Sequence, residues 1–271
     1  VEMASPLGAC CSAVYGSPMA EFLVGDSLHP GGLESTRDLL RSSGLAPGAR
    51  LLDVGCGLGA SSRIAASEFG LRVDAVDASG PVIDRAMGRG RETRIRWTQA
   101  SLPDLPFDES TFDAVLAECV LSTVPRELAM AEVARLLCSG GVLLLSDVEV
   151  AGERVAELLH PILGAALCVT DAWRSGEMEA RLADAGFRIT SRMDCSFSIL
   201  ALIERIEARV IMAQLVARDL GLDLAAMLGP ASAAAAIADF AQPHLILDEV
   251  RSAVRDGSLR YLAITAIAGA A

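Results

Sequence analysis

Leu51-Leu52-Asp53-Val54-Gly55-Cys56-Gly57-Leu58-Gly59 is a stretch in which an apolar run gives way to glycines at every second position. The apolar run predicts a buried strand. The glycines predict a tight turn whose missing Cβ atoms let a ligand approach the backbone closely. A helix is expected to begin near Ala60, directly behind the turn. The stretch therefore predicts a cofactor site, although glycine-rich turns after strands also occur as plain structural corners.

A second apolar strand, Leu71 to Val76, ends in Asp77, which follows Asp53 by 24 residues. In an open α/β fold this position places a carboxylate where it accepts both hydroxyls of a ribose. The glycine spacing is Gly-x-Gly-x-Gly rather than Gly-x-Gly-x-x-Gly, and no phosphate-loop lysine follows. A nucleoside without a pyrophosphate fits this turn better than NAD or ATP, which disfavours a nicotinamide-dependent oxidoreductase.

The glycine turn and Asp77 resemble the first two motifs of the class I S-adenosyl-L-methionine (SAM)-dependent methyltransferases of the type 11, UbiE-like group. The resemblance runs from about residue 33 to 190. In that group an Asp often lies four residues before a Leu-Pro-Phe and reaches the adenine amine. Aligned on Leu105-Pro106-Phe107, that position is Ser101, which weakens the adenine assignment. The resemblance implies SAM as the cofactor, bound by Asp53, Gly55, Cys56, Gly57, Gly59, Asp77, Ala78, Ala100, Ser101 and Glu118.

Strand and helix patterns alternate four times in a row from Leu51 onward, which requires parallel strands joined by helical crossovers. The predicted fold class is α/β, a Rossmann-like doubly wound seven-stranded sheet, parallel with one antiparallel strand, with a helical insertion between the last two strands. The antiparallel strand is implied by the family resemblance. Strands after the second are predicted at Ile95–Gln99, Phe112–Ala117, Val142–Val148, Phe187–Met193 and Leu259–Ile267.

The chain is predicted to divide into an N-terminal arm and lid (1–32), a SAM-binding Rossmann-like core (33–196), a helical insertion (197–257) and the last core strand (258–271). The helix at Leu33–Ser43 leads into the glycine turn, so it is either a lid over the methionine end of SAM or a packing helix. The apolar faces of the insertion are too extensive to leave in water. They predict a cap or a homodimer surface.

The net charge of −12 argues against a nucleic-acid partner, because such partners are bound through basic side chains. No uninterrupted apolar stretch of membrane-spanning length occurs, and no basic segment precedes an apolar one at the N-terminus. Seven cysteines, an odd number, favour reduced thiols over a disulfide framework. We therefore expect a cytoplasmic protein acting on a small molecule, with neither a nucleic-acid nor a membrane partner.

A general base for an oxygen or nitrogen acceptor would have to come from few residues. Of the three histidines, only His29 lies in the predicted lid, whereas His160 and His244 fit surface or packing positions better. Glu118 and Asp147 follow or end predicted strands and are possible carboxylate bases. Acids at strand ends also cap helices, so these two assignments compete with a structural role.

The stretch Cys119-Val120-Leu121-Ser122-Thr123-Val124-Pro125 and Cys168, 49 residues after Cys119, resemble regions of arsenite methyltransferases that hold two metalloid-binding thiolates. Trp173 and Gly186-Phe187 extend the resemblance. It implies that Cys119 and Cys168 bind a thiophilic metalloid such as As(III), whose own lone pair attacks the methyl group without a base. The competing interpretation is that these thiols pack as small hydrophobes.

Packing is the preferred interpretation for the other cysteines of the core, Cys56, Cys138 and Cys195. The predicted function is a SAM-dependent methyltransferase for a small molecule, with a thiol-bound metalloid as one candidate acceptor. The candidate catalytic residues are Cys119, Cys168, His29 and Glu118. The alternatives are a methyltransferase for an organic oxygen, nitrogen or carbon acceptor and a non-catalytic SAM-binding interaction protein.

Overall fold

The structure is a computed structural model that describes residues 25, 27, 29–90, 92–152, 172–219, 221 and 243–269. Several predicted features lie outside these residues. They are most of the N-terminal arm with Cys10 and Cys11, His160, the metalloid candidate Cys168, and part of the predicted helical insertion.

The strands, in chain order, are β1 Arg50–Val54, β2 Arg72–Asp77, β3 Ile95–Gln99, β4 Phe112–Glu118, β5 Leu137–Val150, β6 Trp173–Arg174, β7 Phe187–Asp194 and β8 Leu259–Ala268. The helices are α1 Gly32–Ser43, α2 Ala60–Ser67, α3 Gly80–Gly88, α4 Arg126–Leu136, α5 Glu177–Asp184, α6 Phe197–Asp219 and α7 Pro243–Asp256. A single 3-10 turn at Leu121–Thr123 lies between β4 and α4.

The sheet has the order β3-β2-β1-β4-β5-β8-β7, and the short β6 pairs with β5 beside this path. β8 runs antiparallel to both β5 and β7, and the pairings among β1 to β5 are parallel. This confirms the predicted doubly wound sheet with one antiparallel strand. The strand order reverses between β1 and β4, so the crevice outside their carboxyl ends is the expected ligand site.

Strand β5 is longer than predicted, because it begins at Leu137 rather than Val142. Ser139-Gly140-Gly141 precedes the predicted strand, and a Ser-Gly-Gly sequence is typical of a turn. Instead, the pairing register with β4 shifts between Phe112 and Ala114, and Gly140 takes a left-handed backbone with φ of 75° inside the strand. A bulge of this kind absorbs residues that would otherwise end a strand.

Both faces of the sheet are buried, which explains why β1 reads as a continuous apolar run. Leu51 packs into a cluster with side chains of α1, α2 and α3 on one face. Its neighbour Leu52 packs into a cluster with side chains of α4 and α5 on the other. Successive strand residues point to opposite faces, so strands such as β1, β4 and β5 supply both clusters.

A third apolar cluster joins the helices that follow β7 to the carboxyl end of β5. Ile199, Leu202 and Ile203 of α6 and Val250 of α7 pack there against a group that includes Val148 and Tyr261. Farther along α6, Ile211, Met212, Leu215 and Val216 are about half exposed or more. Among the described helices, none is long and apolar enough to cross a membrane.

Candidate active site

The glycine turn follows β1 and places Gly55, Gly57 and Gly59 in the left-handed backbone region, with φ of 66°, 53° and 79°. A Cβ on Gly55 would collide with Val120, and one on Gly59 would collide with Trp97. At these two positions glycine is therefore required both by the backbone and by side chains of this chain. The turn is closed by a hydrogen bond from the Gly59 amide to the Cys56 carbonyl, 2.9 Å long.

Asp77, at the carboxyl end of β2, lies directly beside this turn. Its carboxylate accepts a hydrogen bond from the amide of Gly57 at 3.0 Å and another from the amide of Ser79 at 2.9 Å. Burial raises the pKa of Asp77, while the two backbone donors oppose the rise. The structure thus places Asp77 next to the turn, as the ribose-binding prediction requires.

Asp53 is almost completely buried at the end of β1 and accepts a hydrogen bond from the hydroxyl of Ser62 in α2. Burial raises its pKa to about 7, and the negative charges of Glu118 and Asp77 add to the rise against the lowering effect of Ser62. Three carboxyl groups from the ends of β1, β2 and β4 therefore share one edge of the sheet and influence each other's charge.

The other predicted cofactor residues lie around this edge with less direct roles. The Ala100 amide donates to the Asp77 carbonyl at 3.0 Å, and the Gln99 side chain donates to the Ala78 carbonyl at 3.2 Å. Cys56 is buried, and burial raises the pKa of its thiol well above the ordinary value. Ser101 is exposed, so the position aligned with the family's adenine-binding acid lies in solvent.

Glu118, the last residue of β4, lies at the centre of a buried polar cluster. Thr36 of α1 donates to its two carboxylate oxygens at 3.0 and 3.2 Å, and Ser61 of α2 donates to Oε2 at 2.5 Å. His29 places Nε2 3.4 Å from the same Oε2, and these two side chains are only 7% and 6% exposed. The structure therefore brings together His29 and Glu118, which sequence analysis had proposed separately.

On its other side, His29 meets Tyr261 of β8. The distance from His29 Nδ1 to the Tyr261 hydroxyl is 3.1 Å, and that hydroxyl lies 2.8 Å from the hydroxyl of Ser146 of β5. Tyr261 is completely buried. We define the His29 cluster as His29, Thr36, Ser61, Glu118, Ser146 and Tyr261.

Sequence analysis missed four members of the His29 cluster: Thr36, Ser61, Ser146 and Tyr261. One signal was available, because Thr36 shares helical spacing with Leu39 and Leu40 of α1, where a buried hydroxyl needs a partner. Tyr261 is one of only two tyrosines in the chain, yet nothing in its surroundings in the sequence points to His29.

Asp147, the second carboxylate proposed as a base, is completely buried. It accepts hydrogen bonds from the amide and the hydroxyl of Ser122 at 3.1 and 2.9 Å and from the amide of Val148 at 2.9 Å. Burial raises its pKa. These contacts tie the 3-10 turn to β5, which is a structural role.

Cys119 follows Glu118 and has a left-handed backbone, with φ of 56°, which is uncommon for a residue other than glycine. Its amide donates to the Ser146 carbonyl at 2.7 Å, and its half-buried side chain packs against the apolar cluster that contains Tyr261. Cys168, its proposed partner, is outside the described residues. Within the described ranges, no group of three or more His, Cys, Asp or Glu side chains is arranged to hold a metal ion.

The remaining described cysteines occupy different surroundings. Cys138 donates from its thiol to the Ser110 carbonyl at 3.1 Å. Cys195 is half-buried, and burial raises the pKa of its thiol. Cys195 packs against two apolar clusters, which agrees with a packing role.

The fold and the site define an open α/β protein whose acidic edge, beside a glycine turn, is suited to a nucleoside that carries positive charge. SAM carries a sulfonium and an ammonium group, whereas NAD carries a pyrophosphate that the carboxyl groups of Asp53, Asp77 and Glu118 would repel. The residues present therefore fit SAM.

Residues 52–145 match the sequence model of the family described as "Methyltransferase domain". Sarcosine/dimethylglycine N-methyltransferase of Halorhodospira halochloris is 32% identical over 124 residues, which is 44% of this chain and 44% of that protein. The matched segment thus spans less than half of that relative. Residues 52–145 thus resemble a methyltransferase domain, and the residues of the site fit SAM as the cofactor.

Solved structures agree on the fold. Geranyl diphosphate C-methyltransferase from Streptomyces coelicolor A3(2) is 19% identical, with a TM-score of 0.69 and coverage of 97% of this chain and 98% of that one. The [4+2]-cyclase SpnF is 21% identical, with a TM-score of 0.65 and coverage of 88% and 81%. One of these proteins is named for methyl transfer and the other for a cyclisation, so the shared fold does not decide the reaction.

Proposed function

We propose that this protein transfers the methyl group of SAM to a small-molecule acceptor. The observation that carries the proposal is the meeting of Asp53, Asp77 and Glu118 beside the glycine turn. Bound there, SAM supplies an electrophilic methyl group on a positively charged sulfur. Asp77 would hold the ribose hydroxyls, and the negative edge would favour the cationic end of the cofactor.

The role left to the chain is to orient the acceptor and to exclude water, because methyl transfer from a sulfonium is an in-line displacement. The His29 cluster lies at the same edge of the sheet as the cofactor residues, through Glu118. A small acceptor is supported by the net charge of −12, which disfavours nucleic acid. It is also supported by the similarity to an enzyme named for sarcosine and dimethylglycine.

Isothermal calorimetry with the purified chain tests the cofactor half of the proposal. We expect SAM to bind with a dissociation constant in the micromolar range and NADH to give no heat. Transfer of radioactive methyl groups from SAM to a panel of amines, alcohols and thiols then tests catalysis. Heat with NADH and none with SAM would overturn the proposal, and SAM binding with no transfer to any acceptor would favour the non-catalytic alternative.

A metalloid acceptor is a second candidate, and the left-handed backbone of Cys119 next to Glu118 favours it. Strained backbone conformations of this kind concentrate at functional sites. If Cys119 and Cys168 bind As(III), the protein should methylate arsenite in the presence of SAM and a thiol reductant. Cys119→Ser and Cys168→Ser should each abolish that turnover without changing SAM affinity, whereas Cys138→Ser and Cys195→Ser should not. Failure of the unmodified protein to bind or methylate arsenite removes this candidate.

We further propose that residues 197–257 form a cap over the carboxyl end of the sheet. In support, side chains of α6 and α7 pack near Val148 and Tyr261, beside the His29 cluster. Deleting the insertion should expose these apolar faces and cause aggregation. A deletion variant that remains soluble, monomeric and able to bind SAM would contradict the cap. Light scattering of the intact chain tests the alternative that the insertion forms a homodimer surface.

A further inference from the structure

We infer that the ring of His29 is held with a proton on Nε2, directed at Glu118, and that Tyr261 is the positioning residue on the Nδ1 side of the ring. His29 then acts as a hydrogen-bond donor and not as a general base. As far as it concerns the acceptor, the inference rests on the proposed methyl transfer. It narrows the acceptor to a nucleophile that needs no deprotonation before attack.

The proton on Nε2 follows from the hydrogen bonds that surround Glu118. A carboxylate only accepts, and a hydroxyl has a single proton to donate. Thr36 and Ser61 both direct that proton at Glu118. His29 Nε2 lies 3.3 Å from the Thr36 oxygen and 3.4 Å from Glu118 Oε2, so both of its near neighbours present lone pairs.

Without a proton on Nε2, the lone pairs of Nε2, the Thr36 oxygen and Glu118 Oε2 would face each other in a site that is almost closed to water. A buried polar atom without its partner costs about 1–3 kcal/mol. If Thr36 turned its proton toward Nε2 instead, Glu118 Oε1 would lose the donor that the structure gives it. A proton on Nε2 satisfies Thr36 and Glu118 at the same time.

Two arrangements of hydrogen bonds are possible at Nδ1, and Nε2 keeps its proton in both. In the first, Tyr261 donates to Ser146, so Nδ1 must donate to the Tyr261 oxygen and the ring is a cation. In the second, Ser146 donates to Tyr261, which donates to Nδ1, and the ring is neutral with its proton on Nε2. The hydroxyl of Tyr261 is thus the group that holds the ring in this orientation.

With these hydrogen bonds in place, the His29 cluster offers no base that could remove a proton from the acceptor. Nε2 of His29 has no lone pair to offer, Nδ1 faces Tyr261, and Glu118 already accepts from Thr36 and Ser61 and faces the Nε2 proton. An alcohol would need one of these groups as its base. A neutral amine does not, because its nitrogen lone pair forms the bond to the methyl carbon while the carbon–sulfur bond breaks and leaves its electron pair on sulfur. The resulting ammonium loses any proton it carries to solvent.

Nuclear magnetic resonance of the histidine ring nitrogens tests the proton directly. The chain has three histidines, and the signal lost in His29→Gln identifies His29. In 15N-labelled unmodified protein we expect Nε2 of His29 to have the shift of a protonated nitrogen. In Tyr261→Phe we expect Nε2 to keep its proton, because Thr36 and Glu118 remain beside it, and the Nδ1 signal to shift, because Nδ1 has lost the hydroxyl that it faces. Circular dichroism and SAM calorimetry confirm that the variant is folded.

A proton on Nδ1 alone in the unmodified protein would overturn the inference, whether or not the protein methylates anything.

Steady-state kinetics of His29→Gln give a second test. Gln at position 29 can donate but cannot act as a base, so His29→Gln should lower kcat for an amine by less than about tenfold. Loss of a general base lowers rates by about 10²–10⁴-fold, and such a loss in His29→Gln would also overturn the inference. Absence of SAM binding would instead count against the proposed function.

Discussion

The two halves of the site are built in different ways. In the cofactor half, Gly57 donates its amide to Asp77 across only 20 residues of sequence, within one strand-turn-helix-strand unit. In the His29 cluster, His29 meets Glu118 and Tyr261, and its contact to Tyr261 spans 232 residues. The first half depends on backbone geometry and the second on side-chain hydroxyls and a carboxylate. The cofactor half therefore depends on one local unit of the chain, whereas the His29 cluster depends on the assembled fold.

The largest effect is expected where the cofactor half depends on backbone geometry. Gly59→Ala introduces a Cβ at φ of 79° and against Trp97, so we expect the free energy of unfolding to fall by about 2–4 kcal/mol. Gly88→Ala is the matched control, because its Cβ meets nothing within 4 Å. That variant should be within about 0.5 kcal/mol of the parent or slightly more stable. Urea denaturation measures both, and equal stabilities would show that the turn tolerates a side chain.

Asp77→Ala should act on cofactor binding. Loss of charge-assisted hydrogen bonds to the ribose is expected to weaken SAM binding by about 1–3 kcal/mol in calorimetry. Asp84→Ala removes an exposed carboxylate from α3 and is the control, with SAM affinity expected to be unchanged. If both variants bind SAM equally well, Asp77 only holds the turn together and does not contact the cofactor.

The contrast between the halves also explains what could be predicted from the sequence. Asp53, the glycine turn and Asp77 were recognisable because their spacing is local and each strand carries its own apolar pattern. The doubly wound parallel sheet was predicted from the strand–helix alternation, and its one antiparallel strand was implied by the family resemblance. Tyr261 was not recognisable, because its meeting with His29 depends on β8 pairing antiparallel to β5, and no local pattern encodes that neighbour.

The packing around the glycine turn and the first residue of β5 could not be predicted from the sequence either. The spaces beside Gly55 and Gly59 were expected to admit a ligand, yet Val120 and Trp97 occupy the positions where Cβ atoms would project. These side chains come from the loop after β4 and from β3. The positions of Val120 and Trp97 beside the turn depend on the arrangement of the sheet and not on the turn itself. The early start of β5 has a similar cause, because a register shift against β4 takes up its glycines.

The acidic edge predicts a pH dependence of stability that Asp53→Asn should remove. The pKa of Asp53 rises from 3.8 to about 7 in the fold, so between these values the folded chain keeps a proton that the unfolded chain has lost. This group therefore lowers the free energy of unfolding as pH rises, by up to about 1.4 kcal/mol per pH unit. Asparagine can still accept from Ser62 and has no such slope.

Denaturation curves of the two proteins measured from pH 5 to 8 test this sign. The stability of Asp53→Asn relative to the parent should increase with pH and level off above about pH 7. Parallel curves would mean that Asp53 keeps an ordinary pKa and that the edge carries its full negative charge throughout this range.

The smallest effect is expected at the adenine end of the cofactor half, where this chain departs from the methyltransferase pattern that it resembles. Ser101 occupies the position of an acid that reaches the adenine amine, and it is exposed. Ser101→Asp would restore a carboxylate acceptor, but a hydrogen bond made in contact with water contributes only about 0.5–1 kcal/mol. We therefore expect a gain in SAM affinity of about two- to fivefold in calorimetry, with Ser101→Ala unchanged as the control. A loss of affinity in Ser101→Asp would mean that the adenine binds elsewhere. The added negative charge would then act only by disturbing the loop around Asp104, whose amide donates to the Ser101 carbonyl at 3.3 Å.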